Sequence, residues 1–351
     1  MTTHSAKRIV IIGGGPAGYE AALVGARYGA DITLIEDNGL GGSAVIDDCV
    51  PSKSFIAGAN VKTDLRRAED MGLSMKLAED AAGAGSIRLV TALNSRVRQL
   101  AGKQSNDIYR SVKRAGVRII AGRGTFDDYN LNQTVHYIRV EHANGTVETI
   151  ECDLVLVATG ASPRILPGAQ PDGERIVTWQ QIYNITELPE HLIVVGSGVT
   201  GAEFVSAFAE LGVKVTMVAS RDRILPHDDA DAADVLETVL TERGVSLVKH
   251  ARVDSVVRMD DGGVLVRTSD GREIRGSHAL MTVGSIPNTQ NMGVEAIGME
   301  TTPSGHIKVD RVSRTNVPGV YAAGDCTDLF PLASVAAMQG RIAMYHALGE
   351  G

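Results

Sequence analysis

Arg8 to Glu36 reads RIVIIGGGPAGYEAALVGARYGADITLIE. The opening Arg8 to Ile12 is a short unbroken apolar run, as expected of a parallel strand buried on both faces. Gly13 to Gly18 (GGGPAG) follows, and a helical pattern then runs through Tyr28 to a stop at Gly29. Asp31 to Glu36 is the next strand, which completes one strand–helix–strand unit. Gly13, Gly15 and Gly18 allow a tight turn and close approach of backbone to a pyrophosphate. Pro16 and Ala17 begin the helix whose N-terminus meets the phosphate charge. Glu36 can accept from adenosine ribose hydroxyls. A lone glycine motif is weak evidence, but this strand, this helix and an acid at the next strand end together point to a bound dinucleotide.

A second unit of the same kind follows much later. Leu192 to Val195 is its strand, Gly196 to Gly201 (GSGVTG) its turn and Ala202 to Leu211 its helix. Gly196, Gly198, Val199 and Thr200 make up the phosphate-facing part of that turn. The duplication demands two dinucleotides, or one and a decayed site. Its second strand ends differently: where Glu36 stands in the first unit, this one has Ala219, then Ser220, Arg221, Asp222 and Arg223. No carboxylate awaits a ribose 2′-hydroxyl, and a nearby Arg accommodates a 2′-phosphate. A solvated basic turn, with Asp222 paired to either Arg, is the other reading. A dinucleotide with a 2′-phosphate, one without it, or both are therefore open at this turn.

The remaining bounds agree with an α/β protein. The chain has 351 residues, 44% of them hydrophobic, with 39 glycines, enough length for two domains with many tight turns. A formal net charge of −8 with scattered Lys and Arg leaves no footprint for nucleic acid. The first residues, MTTHSAKRIV, open directly into a strand and carry too short an apolar run for a signal peptide. No stretch reaches the ~18 apolar residues of a membrane span. Cys49, Cys152 and Cys326 stand far apart, which argues against structural zinc or a secreted disulfide framework and makes a reducing cytoplasm the expected location. No metal site is expected. Ser54 to Arg67 and Ser95 to Ala115 read as helices with a polar connector between them, Val117 to Gly122 as a strand. Val135 to Glu141 and Val147 to Ile150 form a hairpin about Asn144-Gly145.

Gly41 to Lys53 reads GGSAVIDDCVPSK. A glycine turn leads to Cys49, and Pro51, Ser52 and Lys53 start a helix, where a thiol near the positive end of the dipole is favoured as thiolate. Asp47 and Asp48 oppose this through like charge. The stretch resembles the redox segment of the flavoprotein disulfide reductases, in which GG-T-C precedes C-x-P-S-K. Cys49 and the PSK are kept, but Ala44 occupies the first cysteine position. Other motifs extend the resemblance from Arg8 to Leu348. Ala158, Thr159 and Gly160 match the crossover between the two domains. Gly284 to Asn288 matches a G-R-x-P-N segment in which Ser285 replaces the Arg. Gly324 and Asp325 match the last flavin fingerprint, before a helix opening at Ala333.

The resemblance implies a two-domain, doubly wound α/β flavoprotein. FAD would lie on residues 1–160 plus 286–351, and NAD(P)H on 161–285. Implied for FAD are Gly13, Gly15, Pro16, Ala17, Gly18, Glu36, Gly42, Ser43, Lys53, Ala158, Thr159, Gly160, Gly324, Asp325 and Ala333. For NAD(P)H they are Gly196, Gly198, Val199, Thr200, Glu203, Ser220, Arg221, Arg223 and Gly284. Lys53 and Glu203 match a pair that the family places beside flavin N5, and with Cys49 they are the candidate catalytic residues. Cys49 reads either as a thiolate against the flavin or as a leftover thiol that packs there. One thiol cannot form the intramolecular disulfide, so electrons should leave the flavin directly, to a planar quinone-like acceptor, as in the lipoamide-dehydrogenase-like NAD(P)H quinone reductases. A single-cysteine oxidase, peroxidase or coenzyme A-disulfide reductase, or a flavin-binding redox sensor, are the rival expectations. Family members continue for roughly one further small domain that forms a homodimer and supplies a His–Glu pair, so a homodimer is expected for a longer form of this chain.

Overall fold

The computed structural model describes residues 6–73, 84–127 and 135–350. The chain forms two compact units. The first comprises Met1–Ile46, Ala101–Ser162 and Ile286–Gly351, and the second Asp47–Leu100 and Pro163–Ser285.

In the first unit a seven-stranded sheet runs in the order Val320–Ala322, Leu154–Val157, Arg8–Ile12, Asp31–Glu36, Arg118–Phe126, His136–His142, Val147–Cys152. The first five strands are parallel, and the last two turn back as an antiparallel hairpin. The unbroken apolar reading of Arg8–Ile12 has its physical cause here. Ile9 and Ile11 pack among Ala17, Ala21 and Met344 on one face, while Val10 and Ile12 pack among Ile138 and Val140 on the other. Pro16–Arg27 follows as a helix with Pro16 in its first turn. The C-terminal helix, Ala333–Leu348, crosses it where Gly340 lets the two backbones approach, since a Cβ there would overlap the carbonyl of Ala17. Asn144-Gly145 makes the hairpin turn, with Gly145 at φ +80°.

The second unit repeats the plan. Its parallel sheet runs Ser246–Val248, Lys214–Val218, His191–Val195, His278–Met281, Ile176–Thr178. Leu192 and Val194 face a core containing Phe55, Phe204 and Phe208, whereas Ile193 and Val195 face Ala251, Val264 and Val266. An antiparallel ribbon of Val253–Arg258, Val264–Thr268 and Glu273–Gly276 completes it.

Some elements differ from the sequence reading. The helix expected to start at Pro51 starts at Cys49 and runs through Asp70. Pro51 fits because the first turn has no backbone acceptor for its missing N–H. The next helix spans Ala84–Arg114, 31 residues, and so starts before the expected Ser95; residues 74–83 of the expected connector lie outside the described residues, as do 1–5. The strand expected to end at Gly122 continues to Phe126, because His136–His142 pairs along its whole added length. Residues 47–100, read as part of the first domain, pack with the second unit. Phe55, Ala59, Val90, Leu93 and Val97 bury themselves in the core of Phe204 and Phe208, a choice of sheet that helical periodicity does not encode.

Candidate functional site

The first unit builds a nucleotide turn from its sequence motif. Gly13 has φ +105°, a region that side chains avoid, and a Cβ there would overlap the carbonyl of Ala158. Gly15 caps the helix opening with Pro16 and Ala17, leaving the first N–H groups of that helix free for an anion. Gly18 sits against the carbonyl of Gly13. Glu36 ends its strand with Oε2 accepting from Gly14 N at 2.6 Å and Oε1 from Asn38 N at 2.7 Å. Burial pushes its carboxyl above the usual range, against those two N–H groups. Gly42 and Ser43 open the short helix Gly42–Ile46.

The same unit gathers the later motifs. Ala158 N donates to Ile12 O at 2.8 Å, and Thr159 exchanges hydrogen bonds with Asn288, whose backbone N–H donates to Gly160 O at 2.9 Å. Asn288 is a positioning residue the sequence reading passed over, its only signal being the P-N step of SIPN. Gly324 N donates to Gln339 Oε1 at 2.9 Å, which ties the turn to the helix of Ala333. Asp325 is half-buried, and among the described residues its carboxylate has no hydrogen-bond partner. Burial pushes that carboxyl above its usual range, His306 pulling the other way. An unmet, half-buried acid beside a glycine turn fits a polyhydroxylated ligand such as the FAD ribityl chain.

In the second unit Gly196 has φ +116° and a Cβ there would overlap Thr282 O, the same device as at Gly13. Thr282, also missed from sequence, locks the turn by donating from Oγ1 to Val195 O at 2.9 Å. Gly198 caps the helix Val199–Glu210, with Val199 and Thr200 in its first turn and Val199 exposed. Ala219 is buried, its N–H donating to Val248 O and its carbonyl accepting from Ala251 N. Ser220 and Arg221 are exposed and Arg223 is half-buried. Among the described residues neither arginine is ion-paired, to Asp222 or to any other acid. Gly284 has φ +89°, and Arg164 N donates to its carbonyl.

Lys53 and Glu203 also meet within this unit. Lys53 Nζ lies 2.6 Å from Glu203 Oε1 and 3.3 Å from Ser52 Oγ. Burial works to lower the Lys53 pKa, but the hydrogen bond and charge of Glu203 outweigh it, with Cys49 and Asp48 adding, and hold the ammonium above its ordinary value. Cys49 is one turn back on the same helix and half-buried. Behind the pair lies an aromatic cluster of Phe55, Tyr183, Phe204 and Phe208. Among the described residues, no group of His, Cys, Asp and Glu is placed to hold a metal ion, and no helix is long and apolar enough to cross a membrane.

Two glycine turns of one design, a crossover threaded through Thr159 and Asn288, and a Lys–Glu pair beside a single cysteine define a two-nucleotide flavoprotein fold. The chain belongs to the pyridine nucleotide-disulphide oxidoreductase family, whose sequence profile matches residues 7–340. FAD and NAD(P)H are the cofactors of this family. Among its relatives, an NAD(P)H dehydrogenase (quinone) of Mycobacterium tuberculosis is 57% identical over 347 residues, 98% of this chain and 69% of that protein. A dihydrolipoyl dehydrogenase of Bacillus subtilis is 32% identical over 342 residues, 97% of this chain and 72% of that protein. The crystal structure of LpdA from Mycobacterium tuberculosis superposes with a TM-score of 0.92 at 56% identity, covering 99% of this chain and 73% of that one.

Proposed function

We propose that this protein is a FAD-dependent NAD(P)H dehydrogenase that passes electrons to a quinone-like acceptor without a redox disulfide. The observation that carries the reading is the Lys53–Glu203 ion pair beside a single cysteine, with Ala44 at the position of the first thiol of the redox segment. The 57% identity to a protein named NAD(P)H dehydrogenase (quinone) supports it. Bound FAD supplies two-electron chemistry, taking hydride from the nicotinamide and releasing electrons singly or in pairs.

The chain's own residues do the rest. Gly13, Gly15, Gly18 and the helix at Pro16 bind the FAD phosphates, Glu36 takes a ribose, and Asp325 holds ribityl hydroxyls. Gly196, Gly198 and the helix at Val199 bind the nicotinamide nucleotide, with Arg221 and Arg223 free to contact a 2′-phosphate. Glu203 keeps Lys53 charged, and that cation stabilises negative charge on the reduced cofactor. Cys49 carries no step. FAD belongs to residues 1–160 with 286–351 and the nicotinamide nucleotide to 161–285. The working assembly is a homodimer in the cytoplasm.

The test is a visible spectrum of the FAD-loaded protein under anaerobic conditions. NADPH should bleach the flavin band, and menadione should restore it. Bleaching that menadione does not reverse would overturn the assignment of acceptor, and no bleaching by NADPH or NADH would overturn the enzyme reading itself.

A further inference from the structure

Tyr183 lies in a short 3₁₀ turn, Ile182–Asn184, and is 5% exposed. Its ring stands 6.0 Å from that of Phe204 and 6.2 Å from that of Phe55. Phe204 adjoins Glu203 in sequence, Phe55 lies two residues beyond Lys53, and the charge of Glu203 acts on the phenol, so Tyr183 lies near the ion pair. Its hydroxyl is buried and has no hydrogen-bond partner among the described residues. The two rings it meets are both Phe. A third Phe would fill the same space without burying a hydroxyl that no protein group meets, and such burial costs stability. Burial first, then the charges of Asp48, Glu203, Asp47 and Cys49, raise the phenol's pKa, so it stays a neutral donor. Glu203 has a complementary vacancy: Lys53 engages Oε1, and among the described residues nothing donates to Oε2.

We propose, on the functional reading above, that Tyr183 is a positioning residue for the Lys53–Glu203 pair, its hydroxyl donating through one bridging water to the free Glu203 oxygen. The bridge fixes the rotamer of Glu203 and through it the ammonium of Lys53, at no contact with substrate.

The test uses FAD-loaded Tyr183→Phe. Stopped-flow reduction by NADPH should show a limiting rate about tenfold lower, with nucleotide affinity unchanged. The unfolding temperature should fall by no more than a few degrees, because the substitution gives up one water-bridged hydrogen bond and keeps the ring in place. In a Glu203→Gln background the same substitution should have no further effect on the rate. An unchanged limiting rate overturns the proposal, as does a further loss of rate in the Glu203→Gln background, which would show that the hydroxyl acts elsewhere. If the parent flavin is not reduced by NADPH at all, the functional reading fails instead, and a crystal structure of Tyr183→Phe then decides the fate of Tyr183: a changed Glu203 rotamer supports the bridge and an unchanged one overturns it.

Discussion

Lys53 and Glu203 stand 150 residues apart in the chain and 2.6 Å apart in space. Their side chains are 59% and 23% exposed, so the pair adds at most about 1 kcal/mol to stability, like other surface ion pairs. Its value must be sought in chemistry. Glu203→Gln keeps the shape and removes the charge that holds Lys53. We expect thermal unfolding to change little and flavin reduction by NADPH to slow by about tenfold or more. A normal reduction rate in that variant would remove the pair from the mechanism. Arg221 and Arg223 pose a second question at this scale. With Ala219 in place of an acid and, among the described residues, no ion pair on either guanidinium, one contact to a 2′-phosphate is worth about 1.5–3 kcal/mol, or roughly tenfold in favour of NADPH. Arg221→Ala with Arg223→Ala should therefore pull the NADPH/NADH ratio of kcat/KM toward NADH. An unchanged ratio would make the turn a solvated surface.

Among the elements, the two glycine turns were legible because only Gly tolerates φ near +105° and +116° with a carbonyl closing from the next strand. The strands were legible because burial on both faces leaves an unbroken apolar run. The helices Cys49–Asp70 and Ala84–Arg114 extend beyond the stretches read as helix, the second because Gly85 dilutes a pattern at its start that tertiary packing rescues. The Lys53–Glu203 pairing came only through family resemblance, and Tyr183 had no local signal. One element carries a pH dependence. His278, in the strand between His191–Val195 and the edge strand Ile176–Thr178, is 4% exposed and its pKa is lowered to about 4 by burial and by Arg175, whose Nη1 donates to Nε2 at 3.1 Å. Below about pH 6.5 the unfolded chain binds a proton there that the folded one refuses. This contribution to stability is therefore fully present above pH 6.5 and lost progressively down to about pH 4. Chemical unfolding between pH 7 and pH 5 should show the slope, and His278→Gln should flatten it; an identical slope in the variant would assign it to other groups.

At the scale of the whole molecule, two copies of one strand–helix–strand design, one for each nucleotide, support electron transfer with a single cysteine in the redox segment. A lone thiol cannot cycle through an intramolecular disulfide, so the FAD-loaded protein should not turn over lipoamide or glutathione disulfide while it reduces menadione. The central claim is that electrons leave without help from sulfur. Menadione reduction by FAD-loaded Cys49→Ser, with NADPH as donor, tests it most directly. Turnover within a few-fold of the parent is the predicted result. A fall of about a hundredfold with flavin still bound would return Cys49 to the mechanism and contradict the account.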